Sequence, residues 1–490
     1  MRLLNFHLVQ RLAMMPTIAA MLSACAVGPD YRQPDLRLPQ SWQAALPHGG
    51  QEAGLIDWWS QFNEPVLTRL LQAAEADSPT LERSAAAIAQ SRAAIVSSRA
   101  DMFPSLNGRA SSTRASATPP LSGTQTTTGV AVDAAWELDL FGSVRRATEA
   151  ARARLQGAER DWHEARVSLA AEVASNYTSY RACQLLVAAN QRETQSRRET
   201  ARLTAITVDA GFTAPADGNL ATASAASASV NLIAQQAECD LTVKALVALT
   251  GMDEPALRNL LGGTTAALPV PREFSIASLP VALISQRPDL GAAERALAAA
   301  SADVGVAEAN RYPRLSLSGS ISYGTVKIGG VSNDAASWSF GPALSVPLFD
   351  AGKRRAEVTA AQARYDQALA TYRLAVRNAV KEVEQALVNL DSAARRETDA
   401  RTAADSSQRY YRAVEANWRS GGAGLITLED ARRTAISSEL GLIGLQRDRV
   451  LNWINLYKAL GGDWQQVSGA SAANEKTNAA ATSSANGEKL

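Results

Sequence analysis

Apolar and polar side chains alternate along the stretch Val130 to Leu140, V-A-V-D-A-A-W-E-L-D-L. Val130, Val132, Ala134, Trp136, Leu138 and Leu140 fall on one face, and Ala131, Asp133, Ala135, Glu137 and Asp139 on the other. A period of two predicts a β-strand with one apolar and one polar face. The pattern returns downstream, where Trp338, Phe340, Leu344, Val346 and Leu348 alternate with Ser339, Gly341, Ala343, Ser345 and Pro347. Leu315 to Tyr323 places Ser316, Ser318, Ser320 and Ser322 on one face, and Leu106 to Arg114 carries a weaker version. The strands are expected near 105–116, 128–140, 315–324 and 337–348. The segments 117–127 and 324–336, rich in Ser, Thr, Gly or Pro, read as exposed loops between them.

Most of the remaining chain has the period of a helix. From Val144 the small and apolar positions step by three and four, through Ala147, Ala151, Leu155, Ala158, Trp162, Ala165, Leu169, Val173, Tyr177 and Tyr180. From Val358 they do so again, through Ala361, Tyr365, Ala368, Tyr372, Val376, Ala379, Val383, Leu387, Leu390 and Ala394. Both runs are proline-free and read as coiled-coil-like seams. The first, Ser143 to Ala210, would be about 100 Å long as a helix. Gly211 and Gly421–Gly424 break the two runs, and a returning helix follows each, over about 216–250 and 425–460.

These elements are two copies of one unit. Phe103-Pro104-x-Leu106 recurs as Tyr312-Pro313-x-Leu315, and Pro79 and Leu81 as Pro288 and Leu290, at an offset of 209. Gly211, Ala221, Ala225, Leu232, Ile233, Leu241, Leu246 and Gly251 recur as Gly421, Ala431, Ala435, Leu442, Ile443, Leu451, Leu456 and Gly461, at an offset of 210. The predicted fold is mainly α with a small β part, a duplicated helix-strand-strand-helix-helix unit. The first repeat is expected over 64–262 and the second over 263–463, with a disordered Ala/Ser/Asn-rich tail at 464–490.

Strands of about ten residues with one apolar and one serine-rich face match an outer-membrane barrel. Four strands leave two open edges, which a membrane does not tolerate. The sheet must therefore close by oligomerisation. On this reading Trp136, Leu138, Phe340 and Leu344 face lipid, while Asp133, Glu137, Ser339 and Ser345 face the lumen.

Composition removes other functions. The net charge is +1, so no electrostatic case exists for nucleic acid. Three histidines and three cysteines leave little for a metal site. His7 lies in the leader, His48 in a Pro/Gly-rich segment and His163 in a helix, where packing or surface is the expected role. No catalytic constellation, phosphate loop, cofactor motif or metal-ligand spacing is found, so an enzyme is not expected. Cys183 and Cys239 lie at comparable distances on either side of Gly211 and could face each other on antiparallel helices. Two small buried residues is the preferred reading, ahead of a disulfide.

Residues 1–24 read as an export signal: Arg2 and Arg11 precede a short apolar run, Leu12 to Leu22. It ends L-S-A-C, which resembles the bacterial lipobox and marks Cys25 as the lipidated residue. Ala26 follows, not the Asp of inner-membrane lipoproteins, which places the anchor in the outer membrane. Residues 25–63 form an anchor segment. Its start, C-A-V-G-P-D-Y-R-Q-P (Cys25 to Pro34), and D-W-W-S-Q-F-N-E-P-V-L (Asp57 to Leu67) resemble the TolC-like outer-membrane efflux proteins and their NodT-type lipoprotein branch. The resemblance covers roughly residues 25–463.

That resemblance implies a homotrimer whose twelve-stranded barrel continues into a periplasmic α-helical barrel. It also implies export of drugs or other small solutes, with a periplasmic adaptor (a membrane fusion protein) and a proton-driven, RND-type inner-membrane pump. The duct of a protein-secretion system and a pore-less envelope tether are the alternatives. The periplasmic gate is expected where the long helices turn back, at Asp209–Asp217 and Arg419–Asp430. The family's pattern at the second turn falls on Gly421, Asp430 and Ala431; Ala423 stands where some relatives carry a carboxylate. Asp430, Glu429, Arg419 and Asp209 are the gate candidates. A second role for Glu429 and Asp430 is as a helix N-terminal pair favoured by the dipole.

Overall fold

The structure, a computed structural model, describes residues 26–34, 43, 58–116, 124–263, 267–271, 284, 286–328 and 331–462. The leader, Cys25 and the tail at 464–490 lie outside them. After a 3-10 turn at Trp58–Phe62 come α1 (Pro65–Ala76), α2 (Pro79–Ala100), β1 (Ser105–Ser116), β2 (Thr124–Leu138), α3 (Ser143–Asp209), α4 (Pro215–Thr250) and α5 (Glu254–Gly262). The second half supplies α6 (Pro288–Ala309), β3 (Arg314–Ile328), β4 (Val331–Ser345), α7 (Lys353–Arg419) and α8 (Leu425–Ala459). The order helix, strand, strand, long helix, helix thus occurs twice. Copies match in length: α2 and α6 have 22 residues, α3 and α7 have 67, and α4 and α8 have 36 and 35.

The long helices stop at glycine for a conformational reason. Gly211 and Gly421 have φ of 79° and 82°, in the left-handed region that an L side chain rarely enters. At the first stop the Gly211 N–H donates to the Val208 carbonyl and the Phe212 N–H to the Thr207 carbonyl. At the second, Gly421 donates to Trp418 and Gly422 to Asn417. Both are Schellman caps, which satisfy carbonyls that a helix end leaves unpaired. Pro215 then opens α4 at a position where its missing N–H costs nothing.

The chain divides into two compact units. One comprises residues 1–36, 84–161 and 291–375. It holds one antiparallel sheet in the order β1-β2-β3-β4. Its helices meet through small residues, Ala153 against Ala298 and Ala299, where alanine permits close approach. The N-terminal segment lies on these helices. The Val27 N–H donates to the Phe141 carbonyl, Asp30 pairs with buried Arg146 at 2.7 Å, and the Tyr31 hydroxyl donates to Glu294 at 2.5 Å. Gly28, at φ 95°, sits against Gly305, where an added Cβ would lie 2.4 Å from the Gly305 Cα. The motif G-P-D-Y is therefore a set of docking residues in this unit.

The other unit, residues 37–83, 162–290 and 376–490, contains the large core. Trp58 stacks on Trp453 at 4.7 Å. Around them pack Leu70, Tyr177, Leu246, Leu257, Leu261, Val383, Leu387 and Tyr457, all buried. The aromatic run Trp58–Phe62 is thus a core plug.

Three expectations of the fold change. Thr124–Thr127, read as the end of the loop 117–127, open β2, with Gln125 paired to Ile328 and Thr127 to Thr113. The segment 324–336, read as a loop, is largely strand: Gly324 pairs with Ala335, Val326 with Asn333 and Ile328 with Val331. Its alternation continues, but with the polar and apolar faces exchanged, so the face criterion missed it. Cys183 and Cys239 form a disulfide, with Cα atoms 5.6 Å apart. Each stands 28 residues from Gly211, so the antiparallel pair α3–α4 brings them opposite each other. The preferred reading of two unpaired buried cysteines is overturned.

Candidate functional site: the sheet faces and the helical turns

The register of the sheet sorts every strand residue onto one of two faces. Leu138, Leu315 and Leu344 form one row, and Trp136, Leu317 and Pro342 the next. Leu106, Ala134, Gly319 and Phe340 follow, then Gly108, Val132, Ile321 and Trp338, then Ala110, Val130, Tyr323 and Ala336. Trp136, Leu138, Phe340 and Leu344 therefore share the apolar face. Trp338 is 80% exposed, Phe340 69% and Leu344 65%, a contiguous exposed apolar face of the kind that marks a membrane or partner surface. The five rows span about 26 Å of strand at ~3.3 Å per residue, so a 40° tilt leaves a band about 20 Å tall. Trp136 sits near the helix end of this band, its indole N–H donating to the Met102 carbonyl at 3.0 Å.

Asp133, Glu137, Ser339 and Ser345 share the opposite face. Asp133 accepts from the Ser320 hydroxyl at 2.9 Å and faces Arg109 at 3.6 Å. Glu137 faces Arg314 at 3.8 Å, and the Ser322 and Ser337 hydroxyls bond at 2.7 Å. Charges on this face are thus balanced within the sheet. Among the described residues, β1 and β4 each lack a partner on their outer side.

In the second unit the ends of α3, α4, α7 and α8 pack together. Ala221, Val414, Leu425, Leu428 and Ala431 form a small core with Ala201, Tyr411 and Trp418 around it. Beside it lies a polar knot. Glu429 keeps only 14% of its side chain exposed and binds Arg197 of α3 at 2.9 Å. It also accepts from the Ser224 hydroxyl of α4 at 2.6 Å and pairs with Arg432. Arg432 is 3% exposed, donates to Thr200 at 2.8 Å and Ser196 at 3.3 Å, and lies over the Tyr411 ring. The Ser196 and Tyr411 hydroxyls bond at 2.8 Å.

The gate candidates therefore separate. Glu429 points into the packed helices. Asp430 is exposed and pairs with Arg433 at 2.5 Å. Arg419 pairs with Glu415 at 3.1 Å, and Asp209 is exposed at the last residue of α3. No acidic residue lies in the first turn of α8, so Glu429 and Asp430 stand beyond the reach of a helix-end field. That role belongs to Asp217, in the first turn of α4. Sequence reading missed Arg432. Its signal was there: it falls on the seam Leu425, Leu428, Ala431, Ala435, three residues after Glu429. Among the described residues no cluster of His, Cys, Asp and Glu is able to hold a metal ion, and His163 packs edge-on against Trp162.

The sequence profile of the family described as "Outer membrane efflux protein" matches residues 70–252 and 279–462. The outer membrane protein OprJ of Pseudomonas aeruginosa is 31% identical over 457 residues, covering 92% of this chain and 95% of OprJ. The toluene efflux pump outer membrane protein TtgI of Pseudomonas putida is 30% identical over 458 residues, covering 91% and 96%. The solved structure of the outer-membrane channel OprN superposes with a TM-score of 0.79 at 30% identity, covering 90% of this chain and all of that one.

Proposed function

Since the chain belongs to the outer membrane efflux protein family, we infer that it is the outer-membrane channel of a tripartite efflux system, a conduit rather than an enzyme. The observation that carries this is the sheet: an exposed apolar band of membrane height, a polar opposite face, and two unpaired edges. Three copies would pair β4 of one protomer with β1 of the next and close twelve strands, with the Asp133–Ser345 face as the lumen. α3, α4, α7 and α8 would line the periplasmic part. Its partners are a periplasmic adaptor and an inner-membrane pump, the latter of the proton-driven RND type. The cargo is drugs or other small solutes. Purified protein in a planar bilayer should conduct ions in discrete steps; a pore-less tether would give none.

The register sets a direct test. Phe340→Arg, in the central row of the apolar band, should impair trimer assembly by about 2–4 kcal/mol, while Ser339→Arg on the opposite face is tolerated. Equal trimer yields from the two variants would refute the assignment of faces.

The N-terminal segment docks beside Phe141, where β2 passes into α3. A diacylated Cys25 would enter the leaflet at that level. Cys25→Ser should abolish acylation and leave the trimer in the membrane, as fractionation would show. Complete release of the variant to the soluble fraction would count against the barrel.

Asp430 supports a gate through charge. Three exposed carboxylates near an axis repel one another unless cations or arginines compensate, and Arg433 is placed to do so. Asp430→Ala is expected to raise resting conductance or lower cation preference at unchanged trimer amount. Identical conductance and selectivity would remove Asp430 from the gate.

A further inference from the structure

The face of the sheet that carries Phe340 and Trp338 stops being apolar toward the hairpin ends. Its last apolar row is Ala110, Val130, Tyr323 and Ala336. Ser112, Thr128, Thr325 and Asp334 follow, and then Arg114, Thr126, Lys327 and Ser332. Pairing stays one residue against one through these rows, so Arg114 and Lys327 point to the same side as Trp338. One strand separates them, which sets their backbones about 10 Å apart.

Both cations are exposed, and among the described residues neither makes an ion pair. The arginines of the opposite face differ: Arg109 faces Asp133 and Arg314 faces Glu137. Arg114 instead donates to the Thr124 hydroxyl at 3.5 Å. Over residues 112–128 and 325–336 the one carboxylate is Asp334, which accepts from the Thr325 hydroxyl at 2.6 Å. Two cations and one carboxylate leave the hairpin end of each copy at net +1.

Height along the strands supplies a second observation. Arg114 and Lys327 stand four residues beyond the last apolar row, about 10 Å of height at a 40° tilt. The headgroup layer is about 5–8 Å thick on each side of a bilayer, and a bent arginine or lysine arm spans the difference. Tyr323 and Trp338 lie in the two apolar rows next to it, where aromatic rings mark the membrane–water boundary.

We propose that Arg114 and Lys327 form a docking site on the outer rim for the phosphate groups of an anionic lipid in the outer leaflet. This rests on the closed-channel reading, which puts the hairpin ends there. Phosphate oxygens accept charge-assisted hydrogen bonds from guanidinium and ammonium groups. The spacing gives each cation one phosphate of a doubly phosphorylated headgroup, and the hydroxyls of Ser112, Thr126 and Thr325 offer further donors beside them.

The test uses the full trimer in phosphatidylcholine bilayer discs that contain a minor share of diphosphoryl lipid A. Lipid retained by each trimer on extraction is counted by native mass spectrometry. Preference for lipid A over phosphatidylcholine should fall roughly thirtyfold in Arg114→Gln with Lys327→Gln, about fivefold for each cation lost. The unaltered protein should lose the same preference when the lipid A is dephosphorylated, a comparison that no folding defect affects. Lys381→Gln with Arg396→Gln removes two exposed cations from α7 and should leave the preference unchanged. Equal retention of phosphorylated and dephosphorylated lipid A by the unaltered trimer would overturn the site. So would an equal loss in the α7 variant. Protein that enters discs of neither composition as a trimer would overturn the barrel reading, and the site with it.

Discussion

Arg432→Ala should cost roughly 3 kcal/mol of helix-end stability and open the turns, the lower end of what breaking a buried ion pair costs. The variant leaves Glu429 largely buried, facing only Arg197 and Ser224. It also strips Thr200 and Ser196 of a charged donor. Arg197 keeps Glu429 from being fully uncompensated, which holds the loss near the lower figure. Replacing both partners, Arg432→Met with Glu429→Met, should be milder than Arg432→Ala alone, because no orphaned charge is left. Denaturation of the helical signal, with conductance measured in parallel, checks both. If the single and double variants lost the same stability, the knot would be packing and not electrostatics.

The disulfide should matter at least as much. Cys183 and Cys239 close a loop with a sequence separation of 56, for which chain entropy gives about 4 kcal/mol. Cys183→Ser with Cys239→Ser is expected to melt at a clearly lower temperature, and reductant should bring the parent protein to the same point. The double variant should not respond to reductant. A parent protein whose melting ignores reductant would show that the bond is not formed or does not constrain folding. A structural disulfide also fits the oxidising periplasm, where α3 and α4 are placed by the family.

Strands, long helices and the duplication were legible because each has a period: two for Val130–Leu140, three and four for the runs from Val144 and Val358, and about 210 for the copies. Period does not encode which rotation two helices adopt against each other. Cys183–Cys239 and Arg432–Glu429–Arg197 depend on that rotation, so Arg432, 3% exposed, went unnoticed in the sequence. The hairpin side of β3 and β4 was lost for another reason. The face rule assumes one polarity per face along a strand, and Val326, Ile328 and Val331 break it. The candidate carboxylates at the turn were found as a pair, but only side-chain packing separates Glu429, held among helices, from Asp430, which stays in water.

The matched 67-residue lengths of α3 and α7 restrict how such a chain can be lengthened. One inserted residue turns everything beyond it by about 100° and advances it by about 1.5 Å, which would carry seam alanines out of contact. Seven residues come back to within about 20° of the starting direction. Even that insertion, made in α3 alone, would slide its Gly211 stop past the one at Gly421 and separate Arg197 from Glu429. On the closed-channel reading, growth is therefore quantised, with heptads added to outgoing and returning helices in both copies at once. The duplication makes the reach across the envelope a property that changes in four places or not at all.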